Sequence, residues 1–164
     1  MAVLEVLKYP NPALRKETSE VTEWDGKLKK LISDMWETMY LSKGVGLAAP
    51  QVGIPMKLVV IDYEGDRYVV INPEIIEEDG AERSNEGCLS FPGIYEDVTR
   101  PTRVRVLYTC EKGERRDVIV EGFLARVFSH EIDHLRGRLM IDYLSPLKRG
   151  FLKKKMEKAA REGE

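Results

Sequence analysis

Histidine is almost absent from this chain. Its 164 residues hold two, His130 and His134, and both fall inside one five-residue stretch. Cysteine is equally sparse, with Cys88 and Cys110 the two copies. Two cysteines do not make a disulfide framework, so a bridge between them is not expected. The opening Met1-Ala2-Val3-Leu4-Glu5 lacks a basic n-region and a long apolar h-region, which predicts a cytoplasmic protein. No run approaches the ~20 apolar residues of a membrane span. No internal repeat, low-complexity segment or linker breaks the chain, and its length suits one core, so a single domain over 1–164 is expected. Hydrophobic residues at 43% beside charged residues at 33% fit a soluble globular protein.

The two histidines frame the most informative segment, His130-Glu131-Ile132-Asp133-His134, which reads H-E-x-x-H. On a helix, residues four apart share a face, so both imidazoles can meet one ion while the intervening glutamate reaches a water bound to it. Alone, the pentapeptide also fits a surface helix that carries two histidines by chance. Its flanks argue for burial. Val120, Phe123, Leu124, Val127 and Phe128 precede it, Leu135 follows, and Gly137 reads as a helix stop. A buried imidazole needs a partner, and ligation is one remedy. Two histidines do not complete a site. The third ligand is a carboxylate or one of the cysteines. Cys88 lies in Glu86-Gly87-Cys88-Leu89-Ser90 before Pro92-Gly93, a loop or short strand between turns. Cys110 ends a β-branched run and reads as strand core. A His-His-Cys set suits zinc or ferrous iron, and three protein ligands leave one position open for water.

Three separated blocks resemble the peptide deformylases, which remove the N-formyl group from new bacterial proteins. Gly44-Val45-Gly46-Leu47-Ala48-Ala49-Pro50-Gln51 is similar to that family's G-x-G-L-A-A-x-Q loop, Glu86 to Ser90 to its E-G-C-L-S loop, and His130 to Leu135 to its H-E-x-x-H helix. Leu7 to Pro10 and Pro92 to Arg100 are similar as well, so the likeness spans nearly the whole chain in order. One departure is Ser129, where the family usually has glutamine.

The resemblance implies a hydrolase that cleaves formyl-methionyl nascent peptides and releases formate. It implies Cys88, His130 and His134 as ligands of one divalent ion, ferrous iron first, with zinc, nickel or cobalt as substitutes. Glu131 becomes the general base. The Gln51 amide and the Leu89 N–H become donors to the developing oxyanion. Gly44, Val45 and Gly46 would pair with the peptide in strand-like fashion. Glu86 and Gly87 belong to the same substrate-binding set. Val45, Phe123 and Val127 would line a methionine pocket, although plain core explains Phe123 and Val127 equally. Arg126 is placed near that pocket and Arg100 near the peptide backbone; a surface role competes for both.

A phosphate-binding reading of the glycine loop fails, because no G-K-[ST] follows it. Two other readings remain open. A metallopeptidase would use the same water chemistry but leaves the Cys88 and Gln51 loops unexplained. A non-catalytic module would close its metal with a fourth protein ligand, and Cys110 is the remaining cysteine.

The periodicity predicts an α+β fold, with antiparallel strands around the central H-E-x-x-H helix, an N-terminal helix and a C-terminal helical tail. The early helix is expected over Lys27 to Leu41 with Asp25 as N-cap. Strands are expected at Lys57 to Tyr63, Arg67 to Asn72, Arg103 to Cys110 and Asp117 to Val120, with a turn at Gly65-Asp66. Residues 146–164 carry seven Lys and Arg against three Glu. They form a basic tail whose default role is a solvated helix. The functional alternative is docking on ribosomal RNA.

Overall fold

A computed structural model describes residues 2–162. Helix α1 (Gly26–Leu41) begins where its sequence says it should: the Asp25 side chain accepts from the Leu28 N–H at 3.0 Å and caps the first turn. Strands β1 (Gly46–Ala48), β2 (Leu58–Tyr63) and β3 (Asp66–Asp79) follow. The expected turn between β2 and β3 is a two-residue loop, with Glu64 at φ 52° and Gly65 at φ 89°. Two consecutive positive φ angles match the twist of an antiparallel pair.

Strands β6 (Arg103–Thr109) and β7 (Arg115–Glu121) complete a sheet of order β1-β2-β3-β6-β7, antiparallel throughout. β3 runs on well past Asn72 through a register break between Ile71 and Glu74. Pro73 sits in that break, where the N–H it lacks is not needed. Val120 lies in β7, as the expected strand over Asp117 to Val120 has it, and not in the apolar helix stripe that precedes His130.

The apolar run Leu58-Val59-Val60-Ile61 explains the layering. Val59 and Ile61 pack with Phe128 and Ile132 of α2 (Gly122–Leu135), while Leu58 and Val60 pack with Met35 and Met39 of α1. Alternate residues face opposite sides of a strand, so a strand buried on both sides reads as continuous hydrophobe. Each of these side chains contributes roughly 1.5–3 kcal/mol by leaving water. The α+β architecture expected above is the one observed.

Strands β4 (Glu82–Cys88) and β5 (Phe91–Arg100) form a separate two-stranded sheet. Neither was expected, because β4 is polar along its length. The hairpin has its own core, in which Phe91, Ile94 and Val98 meet Leu139, Ile141 and the C-terminal helix α3 (Pro146–Arg161). α3 contributes Leu152 and Met156 to that core and leaves Leu147 and Phe151 exposed. The expected tail 146–164 ends at positions outside the described residues. No helix among the described residues is long and apolar enough to cross a membrane.

Candidate metal centre and substrate cleft

Helix α2 carries His130 and His134 one turn apart, both buried, with ring centroids 5.2 Å apart. Cys88 is the last residue of β4, and its Sγ lies 3.4 Å from His134 Nε2. One ligand atom from each of the three residues lies within 4.8 Å of the other two. Of the two cysteines, Cys88 is the one the fold brings to the histidines. Cys110 is buried in the sheet–α2 core instead.

The two imidazoles are pushed in opposite directions by their surroundings. His130 Nδ1 lies 2.8 Å from Glu86 Oε1. Glu86 also receives Arg100 Nε at 2.8 Å and Arg126 Nη1 at 2.7 Å. Burial alone would raise the Glu86 pKa, but these donors overcome it and hold the carboxyl well below its ordinary range. An ionised carboxylate only accepts, so His130 Nδ1 carries a proton and Nε2 is the nitrogen able to ligate. Burial pushes His134 well below its ordinary pKa, which keeps that imidazole neutral. Burial acts the same way on His130, but Cys88, Glu86 and Glu131 outweigh it and hold that ring well above its ordinary value, so it sheds its Nε2 proton on taking up a cation. Two imidazoles beside a thiol form a soft-to-borderline donor set that fits zinc or ferrous iron. Glu131 Oε1 is buried without a hydrogen-bond partner among the described residues, as a group facing a site for a further polar ligand would be; His134 Nδ1 is unpartnered too, but it is not the ring nitrogen that faces Cys88.

Glu131 faces the same space from α2. Burial pushes its carboxyl up to about 7. Gly46 explains how it fits: a Cβ there would lie 2.7 Å from Glu131 Oε2. Gly44 likewise leaves room for Leu89, whose Cδ1 would sit 2.8 Å from a Cβ. The two glycines of the loop therefore admit neighbours from the chain itself, where their sequence suggested close approach to a ligand. Gln51 is held by both ends of its amide. Oε1 accepts from the Ala48 N–H at 2.9 Å, and Nε2 donates to Ser90 Oγ at 3.1 Å and toward Cys88 Sγ at 3.7 Å.

A cleft of about 460 Å³ opens onto this group. Of the residues singled out in the sequence, Gly44, Val45, Gly46, Glu86, Gly87 and Leu89 line it. Phe123, Arg126, Val127, Cys88, His130 and Glu131 line it too. Phe123 is half exposed, with its ring tilted against Tyr63 at 5.4 Å between centroids, so it is a wall of the mouth rather than core. Arg126 is buried with its head on Glu86, which excludes the surface reading. Arg100 requires a correction. It was expected beside the substrate backbone, yet it lies outside the cleft lining and is bonded to Glu86 and Asp133, with Nη1 2.6 Å from Asp133 Oδ2. Its pKa is driven up by those carboxylates against the opposing effect of burial.

A family model described as polypeptide deformylase matches residues 3–150. The chain belongs to the polypeptide deformylase family. The peptide deformylase of Alkalilimnicola ehrlichii is 47% identical over 167 residues, covering 99% of this chain and 94% of that one. That of Nitrosococcus oceani is 46% identical, with 98% of each chain covered. Among solved structures, a peptide deformylase from Legionella pneumophila superposes with a TM-score of 0.92 at 43% identity, covering 98% of this chain and 96% of that one. The Ehrlichia chaffeensis peptide deformylase in complex with actinonin gives a TM-score of 0.93 at 38% identity, covering 98% and 99%.

Against the family pattern, the Ser129 departure has a visible outcome: its Oγ is buried without a partner. Three residues the sequence reading passed over also belong to the site. Asp133 is buried between the histidines and binds Arg100, the Tyr143 hydroxyl and Arg136. Tyr143 lies under the Arg100 guanidinium at 4.5 Å. Tyr95 covers Gly87 so closely that a Cβ would meet its ring at 2.6 Å. A carboxylate between two buried histidines was the available signal for Asp133, since such a charge calls for a cation. The other two had none.

Proposed function

We propose that Cys88, His130 and His134 hold a divalent ion, ferrous iron in the cell, and that the adjoining cleft receives the formyl-methionyl end of a nascent peptide. As a member of its family, the chain is a metal-dependent hydrolase that removes the N-terminal formyl group from such peptides and releases formate. The observation that carries the residue assignment is the convergence of three ligand atoms, two of whose residues, Cys88 and His130, line a single cleft with Glu131.

A divalent ion held there supplies Lewis acidity and a water of lowered pKa. Glu131 takes the proton of the attacking water and returns it to the nitrogen of the leaving amine, so formate and a free N-terminus result. The Leu89 backbone N–H, with the Gln51 Nε2–H that gives up its long 3.7 Å contact to Cys88 Sγ, stabilises the oxygen that gains charge as the formyl carbon becomes tetrahedral. Such a donor is worth ~2.7–4 kcal/mol. Val45, Phe123 and Val127 take the methionine side chain, and the Gly44–Gly46 backbone pairs with the peptide. Main-chain pairing leaves later residues free to vary. Anaerobically purified protein, loaded in parallel with ferrous iron, nickel and zinc, should release formate from a short N-formyl-methionyl peptide. Confirmed loading without release from any form would overturn the reading.

The same reading puts the protein at the ribosome in the cytoplasm. The exposed Lys153, Lys154 and Lys155 of α3 support it as a basic face for RNA. Charge reversal at those lysines should abolish co-sedimentation with ribosomes at low salt; unchanged co-sedimentation would refute this docking.

A further inference from the structure

The ligand atoms arrive on two bodies. Cys88 rides on the β4–β5 hairpin, and the histidines ride on α2. The hairpin continues the β3–β6 ribbon in register, from Asp79↔Arg103 to Glu82↔Arg100, but no strand pairing ties it to α2. Side chains must set how it sits on that helix. Arg126 spans the junction at three points. Nη1 donates to Glu86 Oε2 at 2.7 Å and to the Val98 carbonyl at 2.9 Å, and Nη2 donates to the Glu82 carbonyl at 2.7 Å. One guanidinium thus grips both strands of the hairpin and the carboxylate that orients His130.

We propose that Arg126 is a positioning residue for the metal centre: it seats the hairpin on α2 and so fixes Cys88 and Glu86 relative to the two histidines. This rests on the ligand assignment made above. Arg126 lines the cleft, but its head is committed to the hairpin and the residue is 4% exposed, so it does not serve as a charge offered to substrate. The planar fork is required, because a lysine ammonium is a compact point charge and cannot span Glu86 and both carbonyls. Arg100 is a second tie, from β5 to Asp133 of α2, but its side chain reaches Glu86 and Asp133 and bonds neither the Glu82 nor the Val98 carbonyl that Arg126 holds.

The test measures zinc affinity by chelator competition, and separately the thermal unfolding of the metal-free protein. The set is wild type, Arg126→Met, Arg126→Lys, Glu86→Gln and the Arg126→Met/Glu86→Gln pair. Loss of a group that supports a metal ligand typically costs ~10–100-fold in affinity, and Arg126→Met should fall in that range. Arg126→Lys should lose less. The double variant should lose less than the product of the two single effects, because both act partly through one carboxylate. A purely structural arginine would lower the metal-free melting temperature and leave zinc affinity in the folded protein unchanged; that result overturns the proposal. Should Arg126→Met fail to fold, Arg126→Lys decides: wild-type affinity overturns, reduced affinity supports. If wild-type protein takes up no zinc, or Cys88→Ala binds it equally well, the ligand assignment fails instead.

Discussion

Glu131→Gln binds a divalent ion as tightly as wild type and releases formate ~10²–10⁴-fold more slowly, the usual span for loss of a general base. Glutamine matches glutamate in size, so the space that Gly46 leaves for residue 131 stays filled and the cleft keeps its shape. What disappears is the ability to take a proton. Burial has moved the Glu131 carboxyl up to about 7, where it can accept a proton from water and give it back at neutral pH. The deficit should lie in kcat with KM little changed, the signature of an interaction made only in the transition state. Steady-state formate release with metal content measured on the same sample checks this. Wild-type turnover in the variant would remove Glu131 from the proton transfer.

Cys88→Ala is expected to lose the ion altogether, and activity with it. Two imidazoles on α2 remain, which is one ligand short of a catalytic site and two short of a closed one. Wild-type protein should gain stability on adding zinc, by about 2.7 kcal/mol at a hundredfold excess over Kd. The variant should show no such shift in its melting curve. Cys110→Ala is the control. Cys110 is packed in the core beside Tyr108 and Val106, and its carbonyl accepts from Trp24 Nε1 at 3.0 Å. Its loss should leave zinc stoichiometry unchanged. If Cys110→Ala were the variant that loses the ion, a closed structural metal site would replace the catalytic one.

What could be read from the sequence was local. The spacing of Leu28, Ile32, Met35 and Met39 and the Asp25 cap lie within one helix, and the α1 boundaries follow from them. The H-E-x-x-H residues share one turn of α2, so their proximity needs no tertiary knowledge. The β2–β3 turn is likewise a matter of two neighbouring residues. The hairpin that brings Cys88 was hidden, because β4 buries little besides Glu86 and has no apolar alternation. Its strand character comes from pairing with β5, residue by residue from Glu82↔Arg100 to Gly87↔Tyr95. The charges at the junction were hidden for a related reason. Glu86, Arg100, Arg126 and Asp133 come from three elements, and each alone looks like an ordinary surface charge. Only packing reveals that all four are buried and mutually neutralised. Breaking such a cluster by removing one partner costs about 3–5 kcal/mol, which a sequence pattern cannot express.

The exposure of the three ligand residues is unequal. The histidines are buried, while Cys88 is only partly covered and lines the cleft that opens to solvent. A peroxide entering that cleft finds the sulfur more exposed than either imidazole. Oxidation to a sulfenic acid replaces a thiolate donor with a poor one, and a second oxygen makes the change permanent. No second cysteine stands near enough to rescue it as a disulfide, since Cys110 lies in a different core. The opening that admits a peptide therefore also sets the lifetime of the catalyst in air, and that lifetime hangs on one sulfur atom.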